Sequence, residues 1–92
     1  MNDVLSLLSA KERGAEKSDL PAAFMGRLID GESPLRVWRE FRGKTLDRLS
    51  KAAGVSKPYI SEVESGKKPG FVAFFRKCAK ALDVDLDDLT GD

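Results

Sequence analysis

The stretch AAGVSKPYISEVESG, residues 52–66, lets one helix end and another begin within a few residues. Gly54 ends the first helix, because glycine readily takes the left-handed conformation found at helix termini. Ser56 offers a side-chain oxygen to the free amides of the second helix, and Pro58 is tolerated in a first turn because its missing hydrogen breaks no helical bond. We therefore predict two short helices joined by a tight turn, with Lys57 and Pro58 at the tip of the second.

The rest of the chain is divided into short helices by the same kinds of signal. No segment alternates between apolar and polar residues for long enough to form a strand, so we predict an all-α fold. The predicted helices cover residues 3–10, 20–30, 34–42, 46–53, 57–65, 71–82 and 85–90, with a polar linker at 11–18. The predicted caps are Asp19, Ser33, Thr45, Ser56 and Asp85, and the predicted stops are Gly31, Gly43, Gly54 and Gly66.

Composition limits the chemistry open to this chain of 92 residues. It has no histidine and one cysteine, Cys78, which excludes an internal disulfide, a zinc site built from cysteine and histidine, and histidine-based catalysis. No apolar run approaches the roughly 20 residues that a membrane-spanning helix needs, and the acidic start is unlike a signal peptide. We expect a single cytoplasmic domain that is not an enzyme and holds neither cofactor nor metal.

Charge is unevenly distributed along the chain. The net charge of +1 conceals a basic middle, because residues 34–70 hold nine basic and four acidic side chains while residues 1–33 and 71–92 each carry a net charge of −2. A basic segment of this kind favours a polyanionic partner, although a solvated surface produces the same pattern.

Apolar residues recur at helical spacing in two further segments. Residues 71–82 contain a stripe that we expect to face inward, made of Phe71, Phe74, Phe75, Cys78 and Leu82. This spacing favours core packing over base stacking for the aromatic side chains, and a buried thiol over a nucleophile for Cys78. A second stripe, in the amino-terminal third, needs cover from the domain or from a twin subunit; it consists of Leu20, Phe24, Leu28 and Ile29.

Two short helices joined by a tight turn are typical of a helix-turn-helix, in which the amino-terminal end of the second helix enters the major groove of double-stranded DNA. If Ile60 faces the core, the outward face carries Lys57, Pro58, Ser61 and Glu62, and we predict base contacts for these four residues. Lysine donates to guanine and glutamate accepts from cytosine N4, each pairing contributing about 1–3 kcal/mol of discrimination. The alternative is that these charged side chains are merely solvated.

Residues 34–90 resemble the Xre family of Cro and lambda-repressor-like helix-turn-helix proteins. The resemblance rests on the combination of GKT, AAGVS, YISEVESG and the acidic helical end DLDDL. It implies a five-helix, lambda-repressor-like DNA-binding domain at residues 34–92, preceded by an additional helical extension at residues 1–33. It also implies an operator-binding regulator in which Lys57, Pro58 and Glu62 match base-contacting positions. Arg39 and Glu64 match an internal ion pair that ties the first helix of the domain to the recognition helix.

Phosphate contacts are expected around the recognition helix and at the start of the helix before it. The family's phosphate-binding glutamine is replaced by Leu46, and loss of that hydrogen bond should cost about 1 kcal/mol per subunit. For Tyr59, a packing role is an equal alternative to a phosphate bond. The residues predicted to contact phosphates are Lys44, Thr45, Arg48, Tyr59, Lys67 and Lys68.

One helix-turn-helix buries only about 600–1,000 Å², so we expect a homodimer on a near-palindromic operator, joined through residues 82–92 or 20–30. The segment RLIDGESPLRVWREFRG, which connects the amino-terminal extension to the domain, also resembles the corresponding segment of antitoxins paired with RelE- or ParE-like toxins. This resemblance adds such a toxin as a candidate partner. We predict a repressor, either the autoregulatory antitoxin of a type II pair or a stand-alone or prophage-type repressor. The alternatives are an interaction adaptor with the same fold, favoured by Leu46, and a small nuclease.

Overall fold

The computed structural model describes residues 20–90, and within them the chain forms six α-helices and no β-strand. The helices are α1 (Ala22–Ile29), α2 (Pro34–Phe41), α3 (Leu46–Ala53), α4 (Lys57–Glu64), α5 (Val72–Leu82) and α6 (Leu86–Thr90). The predicted all-α fold is confirmed. The predicted helix at 3–10, the linker at 11–18 and the Asp19 cap lie outside the described residues.

Side-chain caps and left-handed glycines set the helix boundaries. The hydroxyls of Ser33, Thr45 and Ser56 each accept a hydrogen bond from the amide three residues later, at 3.3, 3.1 and 3.1 Å. The backbone has positive φ at Gly31, Gly43, Gly54 and Gly66, and also at Asp83, which ends α5 with φ 58°. Because these signals are local in the sequence, the predicted boundaries agree closely with the observed ones. At the start of α1, Pro21 occupies the cap position without a side-chain hydrogen bond.

Helix α2 lies at the centre of the packing. It contacts α1, α4, α5 and α6, while α3 packs against α4 and α5. Arg42, at the end of α2, donates to the carbonyls of Leu82 and Asp83 at 2.8 and 3.1 Å and so satisfies the carboxyl-terminal end of α5. The side chains in the core that are at most 1% exposed are Leu35, Val37, Trp38, Leu49, Ile60, Cys78 and Leu82. Burying a large aliphatic or aromatic side chain of this kind contributes about 1.5–3 kcal/mol.

Helix α1 is attached to α2 by an aromatic contact and by the ion pair between Arg27 and Glu40, while Glu32 lies in the connection between the two helices. The ring of Phe24 meets that of Phe41 edge to face, with centroids 5.5 Å apart. Arg27 pairs with Glu32 at 2.8 Å and with Glu40 at 2.7 Å. The guanidinium of Arg27 donates hydrogen bonds to the Glu32 carboxylate, and these bonds lower the pKa of that carboxyl. The helix predicted for the amino-terminal extension therefore packs on the domain.

Two residues of the predicted apolar stripes are exposed, contrary to expectation. Phe71 is 69% exposed because it occupies the cap position before α5 in an extended conformation, outside the helical register of Phe74. Ile29 is 80% exposed. It lies about 100° around α1 from Leu28, which packs against the core. Cover of Ile29 by its own domain is thus wrong, and cover by a twin subunit stays a prediction.

Cys78 is fully buried in the core. Burial raises the pKa of its thiol to about 11, and the negative charge of Glu64 adds to this effect. The thiol is therefore protonated at neutral pH, in agreement with the predicted packing role. No helix within residues 20–90 has both the length and the apolar character needed to cross a membrane.

Candidate nucleic-acid interface

The turn between α3 and α4 is closed by backbone and side-chain hydrogen bonds. Gly54, with φ 69°, donates its amide to the carbonyl of Ser50 at 2.9 Å. The hydroxyl of Ser50 donates to the carbonyl of Val55, a contact that the sequence did not reveal. Because Ser56 caps the next helix, α4 begins at Lys57 directly after the turn.

The two faces of α4 have different surroundings. Ile60 is fully buried, and Tyr59 and Val63 are half-buried against the core. Lys57 and Pro58 are exposed in the first turn, whereas Ser61 and Glu62 are partly exposed one turn later. The four residues predicted to contact bases therefore all lie on α4 with access to solvent. The amino-terminal end of a helix carries a partial positive charge that favours an anionic ligand.

A buried ion-pair cluster holds the carboxyl-terminal end of α4 against α2. Nε of Arg39 lies 2.7 Å from Oε2 of Glu64, and its Nη2 lies 3.1 Å from Oε1. Nε of Arg36 donates to the same Oε1 at 3.3 Å. The Glu64 side chain is 1% exposed and that of Arg39 10%. Arg36 was missed in the sequence, although it precedes Arg39 by three residues on the same helix, a spacing that places both on one face.

The start of α3 presents the second group of predicted phosphate contacts. Thr45 and Arg48 are exposed, and the Thr45 hydroxyl accepts the Arg48 amide. The carbonyl of the partly exposed Lys44 accepts Nη1 of Arg39 at 2.9 Å, which ties this end of α3 to the buried cluster. Leu46 packs against the core, so its side chain gives this surface no hydrogen-bonding group.

The loop after α4 brings Lys68 to Glu62, a contact that the sequence did not reveal. Nζ of Lys68 lies 3.3 Å from Oε1 of Glu62, so a predicted phosphate contact and a predicted base contact form one ion pair. Lys67 is exposed in the same loop. Tyr59 donates its hydroxyl proton to the carbonyl of Pro69 at 2.7 Å, and its ring meets Phe74 edge to face. These contacts favour the packing role that the sequence left open for Tyr59.

Residues 34–90, more than half of the chain, match a family described as a helix-turn-helix domain. The chain belongs to this helix-turn-helix family. The matched residues contain α2–α6, and membership of the family supports DNA binding by this part of the chain.

Two curated proteins of Bacillus subtilis (strain 168) are similar to this chain. The HTH-type transcriptional regulator SlrR is 34% identical over 66 residues, which span 71% of this chain and 40% of SlrR. The uncharacterized HTH-type transcriptional regulator YazB is 29% identical over 55 residues, which span 60% of this chain and 80% of YazB. The chain thus covers less than half the length of SlrR. No solved structure gives a significant match.

Proposed function

We propose that the protein is a sequence-specific transcriptional regulator that represses its target by binding operator DNA as a homodimer. The observation that carries the proposal is the asymmetry of α4: its carboxyl-terminal end is fixed by the buried Arg39–Glu64 pair, and its amino-terminal end is exposed at Lys57. A helix held in this way projects a rigid tip of the kind that enters a major groove. The names of the two similar proteins, both HTH-type transcriptional regulators, support the same conclusion.

In this proposal, the exposed face of α4 reads bases. Lys57 donates to guanine, Glu62 accepts from cytosine N4, and Pro58 makes apolar contact with a thymine methyl group. Ser61, on the same face, adds a short hydroxyl contact to a base edge.

The surrounding cations and helix ends contact phosphates. Thr45 and the amides that begin α3 meet one phosphate, supported by Lys44 and Arg48. We assign a second phosphate to Lys67 and Lys68, which are exposed in the loop after α4. The Tyr59 hydroxyl donates its one hydrogen bond to the carbonyl of Pro69, so we assign it no hydrogen bond to a phosphate.

Dimerisation follows from the small size of the module. The candidate contact surfaces are the α1 region, where Ile29 is exposed, and residues 82–92. Two copies would place their α4 helices about 34 Å apart on successive major grooves. If the dimer meets roughly eight phosphates, affinity falls by about four decades between 50 and 200 mM salt.

Selection of binding sites from random duplexes tests the proposal. The wild-type protein should enrich a near-palindromic motif, and Lys57→Ala or Glu62→Gln should each change the preferred base at one position per half-site. Lys77→Ala is a matched control, because Lys77 is an exposed cation on α5 outside the candidate interface. If the wild-type protein enriches no motif, the domain acts as a non-enzymatic interaction adaptor and the proposal fails.

An antitoxin role is a finer proposal for the same regulator. It is supported by the resemblance of the join RLIDGESPLRVWREFRG to that of antitoxins encoded beside RelE- or ParE-like toxins. Such a protein would act in the cytoplasm, neutralise its toxin and repress its own operon. Co-expression with the neighbouring reading frame provides the test: failure of the two products to co-purify would leave a stand-alone or prophage-type repressor.

A further inference from the structure

The loop that follows α4 is held against that helix by backbone hydrogen bonds. The carbonyl of Glu62 accepts the amides of both Lys67 and Lys68, at 2.8 and 3.3 Å. One residue further, the carbonyl of Pro69 accepts the hydroxyl proton of Tyr59 at 2.7 Å. Tyr59 and Glu62 are three residues apart on α4, so one edge of the helix anchors the loop at two points.

Close packing at Gly70 fixes the end of the same loop. A Cβ atom placed on Gly70 would lie 2.5 Å from the ring of Phe75 and 3.2 Å from the side chain of Val63. Only a residue without a side chain lets the backbone approach these two groups without displacing them. The position of Lys68 relative to α4 is therefore set by the backbone of the loop.

This placement brings the ammonium group of Lys68 to the carboxylate of Glu62. Nζ of Lys68 lies 3.3 Å from Oε1, and the side chains are 57% and 38% exposed. Such an exposed pair adds little stability to the free protein. Water is displaced when α4 meets DNA, and the lower local dielectric strengthens the attraction between the two charges. Lys68 meets Oε1, which leaves Oε2 of Glu62 available to accept a further hydrogen bond.

We propose that Lys68 is a positioning residue for base recognition by Glu62. Its cation orients the carboxylate and offsets the repulsion between that carboxylate and the DNA phosphates, so that Glu62 can accept from cytosine N4. The inference rests on the proposed function and extends it, because it assigns to the loop a part in specificity. A lysine that contacted only a phosphate would add affinity without affecting base preference.

Lys67 provides a matched comparison within the same loop. It is exposed, carries the same charge, and within residues 20–90 its side chain forms no ion pair. Lys67→Met should therefore weaken binding to all duplexes equally, with a shallower salt dependence. Lys68→Met should instead act mainly on the base pair that Glu62 reads.

The experiment uses the full chain and the motif that the wild-type protein enriches. Affinities are measured for that duplex and for duplexes changed at each position, with the variants Glu62→Gln, Lys68→Met, Lys68→Arg and Lys67→Met. Glu62→Gln identifies the position that depends on Glu62. At this position Lys68→Met should reduce the base preference about fivefold or more, which corresponds to the lower end of one base contact. Lys68→Arg should retain the preference, and Lys67→Met should leave it unchanged.

Several results would overturn the inference. A uniform loss of affinity with Lys68→Met, matching that of Lys67→Met, makes Lys68 a phosphate contact only. A motif in which no position depends on Glu62 removes the residue that Lys68 is proposed to position. If the wild-type protein enriches no motif at all, the proposed function itself fails. Thermal midpoints of the variants, all at exposed or partly exposed sites, distinguish these outcomes from loss of folding.

Discussion

Replacement of Glu64 by glutamine is expected to destabilise the domain strongly, although it changes only one atom of the side chain. The carboxylate is 1% exposed and receives hydrogen bonds from Arg39 at 2.7 and 3.1 Å and from Arg36 at 3.3 Å. Glutamine keeps one acceptor oxygen but removes the negative charge. Glu64→Gln therefore removes the nearest counter-charge of the largely buried Arg39 cation and leaves only the exposed carboxylate of Glu40, at 3.7 Å.

The cost can be estimated from the surroundings of Arg39. Removing one partner of a buried ion pair typically costs about 3–5 kcal/mol. Arg39 still donates to the carbonyl of Lys44 at 2.9 Å, and Arg36 is partly exposed, so we expect the lower end of this range, about 3 kcal/mol. In a domain of this size such a change lowers the Tm by about 12–24 °C.

Urea denaturation followed by circular dichroism measures the free energy of unfolding. Glu62→Gln is the matched control: it makes the same chemical change two residues earlier in α4, on a partly exposed pair, and should cost at most about 1 kcal/mol. Replacing both Arg39 and Glu64 by apolar residues should recover much of the loss caused by Glu64→Gln alone. A cost of less than 1 kcal/mol for Glu64→Gln, equal to that of the control, would refute the structural role of the buried pair.

Three further predictions concern the backbone, the core thiol and the loop. Gly54→Ala should lower the free energy of unfolding, measured by urea denaturation, by about 1–2 kcal/mol, because an alanine at φ 69° is strained although the space around it is open. Asp83→Gly should stabilise the domain, because glycine adopts the φ of 58° found at this position without strain. A neutral effect of both substitutions would contradict the observed conformations. The pKa of the Cys78 thiol is about 11 in the folded protein, above its value in the unfolded chain. The free energy of unfolding should therefore stay constant up to about pH 9 and fall by about 2 kcal/mol as the pH approaches 11. Cys78→Ala should lack this part of the decline. Equal declines in the wild-type protein and in Cys78→Ala would contradict the raised pKa of the thiol. Tyr59→Phe removes the bond to Pro69 but keeps the ring contact, and should cost about 1 kcal/mol; no loss of stability would mean that the hydroxyl does not anchor the loop.

The sequence predicted those features that depend on a few neighbouring residues. Ser33, Thr45 and Ser56 cap helices because a hydroxyl before an apolar run meets free amides, whatever the rest of the fold. Phe71 was misplaced because its spacing fits a helix that begins only after it. Helical periodicity does not identify the first residue of a helix to within one position.

The candidate site was accessible to sequence reasoning in part. The exposed residues of α4 follow from helix geometry, but the contact between Lys68 and Glu62 does not, because it depends on how an irregular loop folds back. The pairing of Arg39 with Glu64 came from a family resemblance, since the two residues are 25 positions apart. The spacing of Arg36 and Arg39 on α2 is visible in the sequence, but only the packing of α2 on α4 shows that Arg36 also reaches Glu64.

Helix α4 carries one lysine and two glutamates, an unfavourable charge for a segment that we propose to enter the major groove of DNA. The two carboxylates lie about 160° apart around the helix, so no single cation can neutralise both. Glu64 is paired inside the domain by arginines from α2, and Glu62 is paired at the surface by Lys68 from the following loop. Some of the basic residues within 34–70 thus neutralise the acidic side chains of α4, and we expect others to bind the DNA phosphates. Substitutions at these cations should therefore affect DNA binding through the helix, even where the cation itself touches no phosphate.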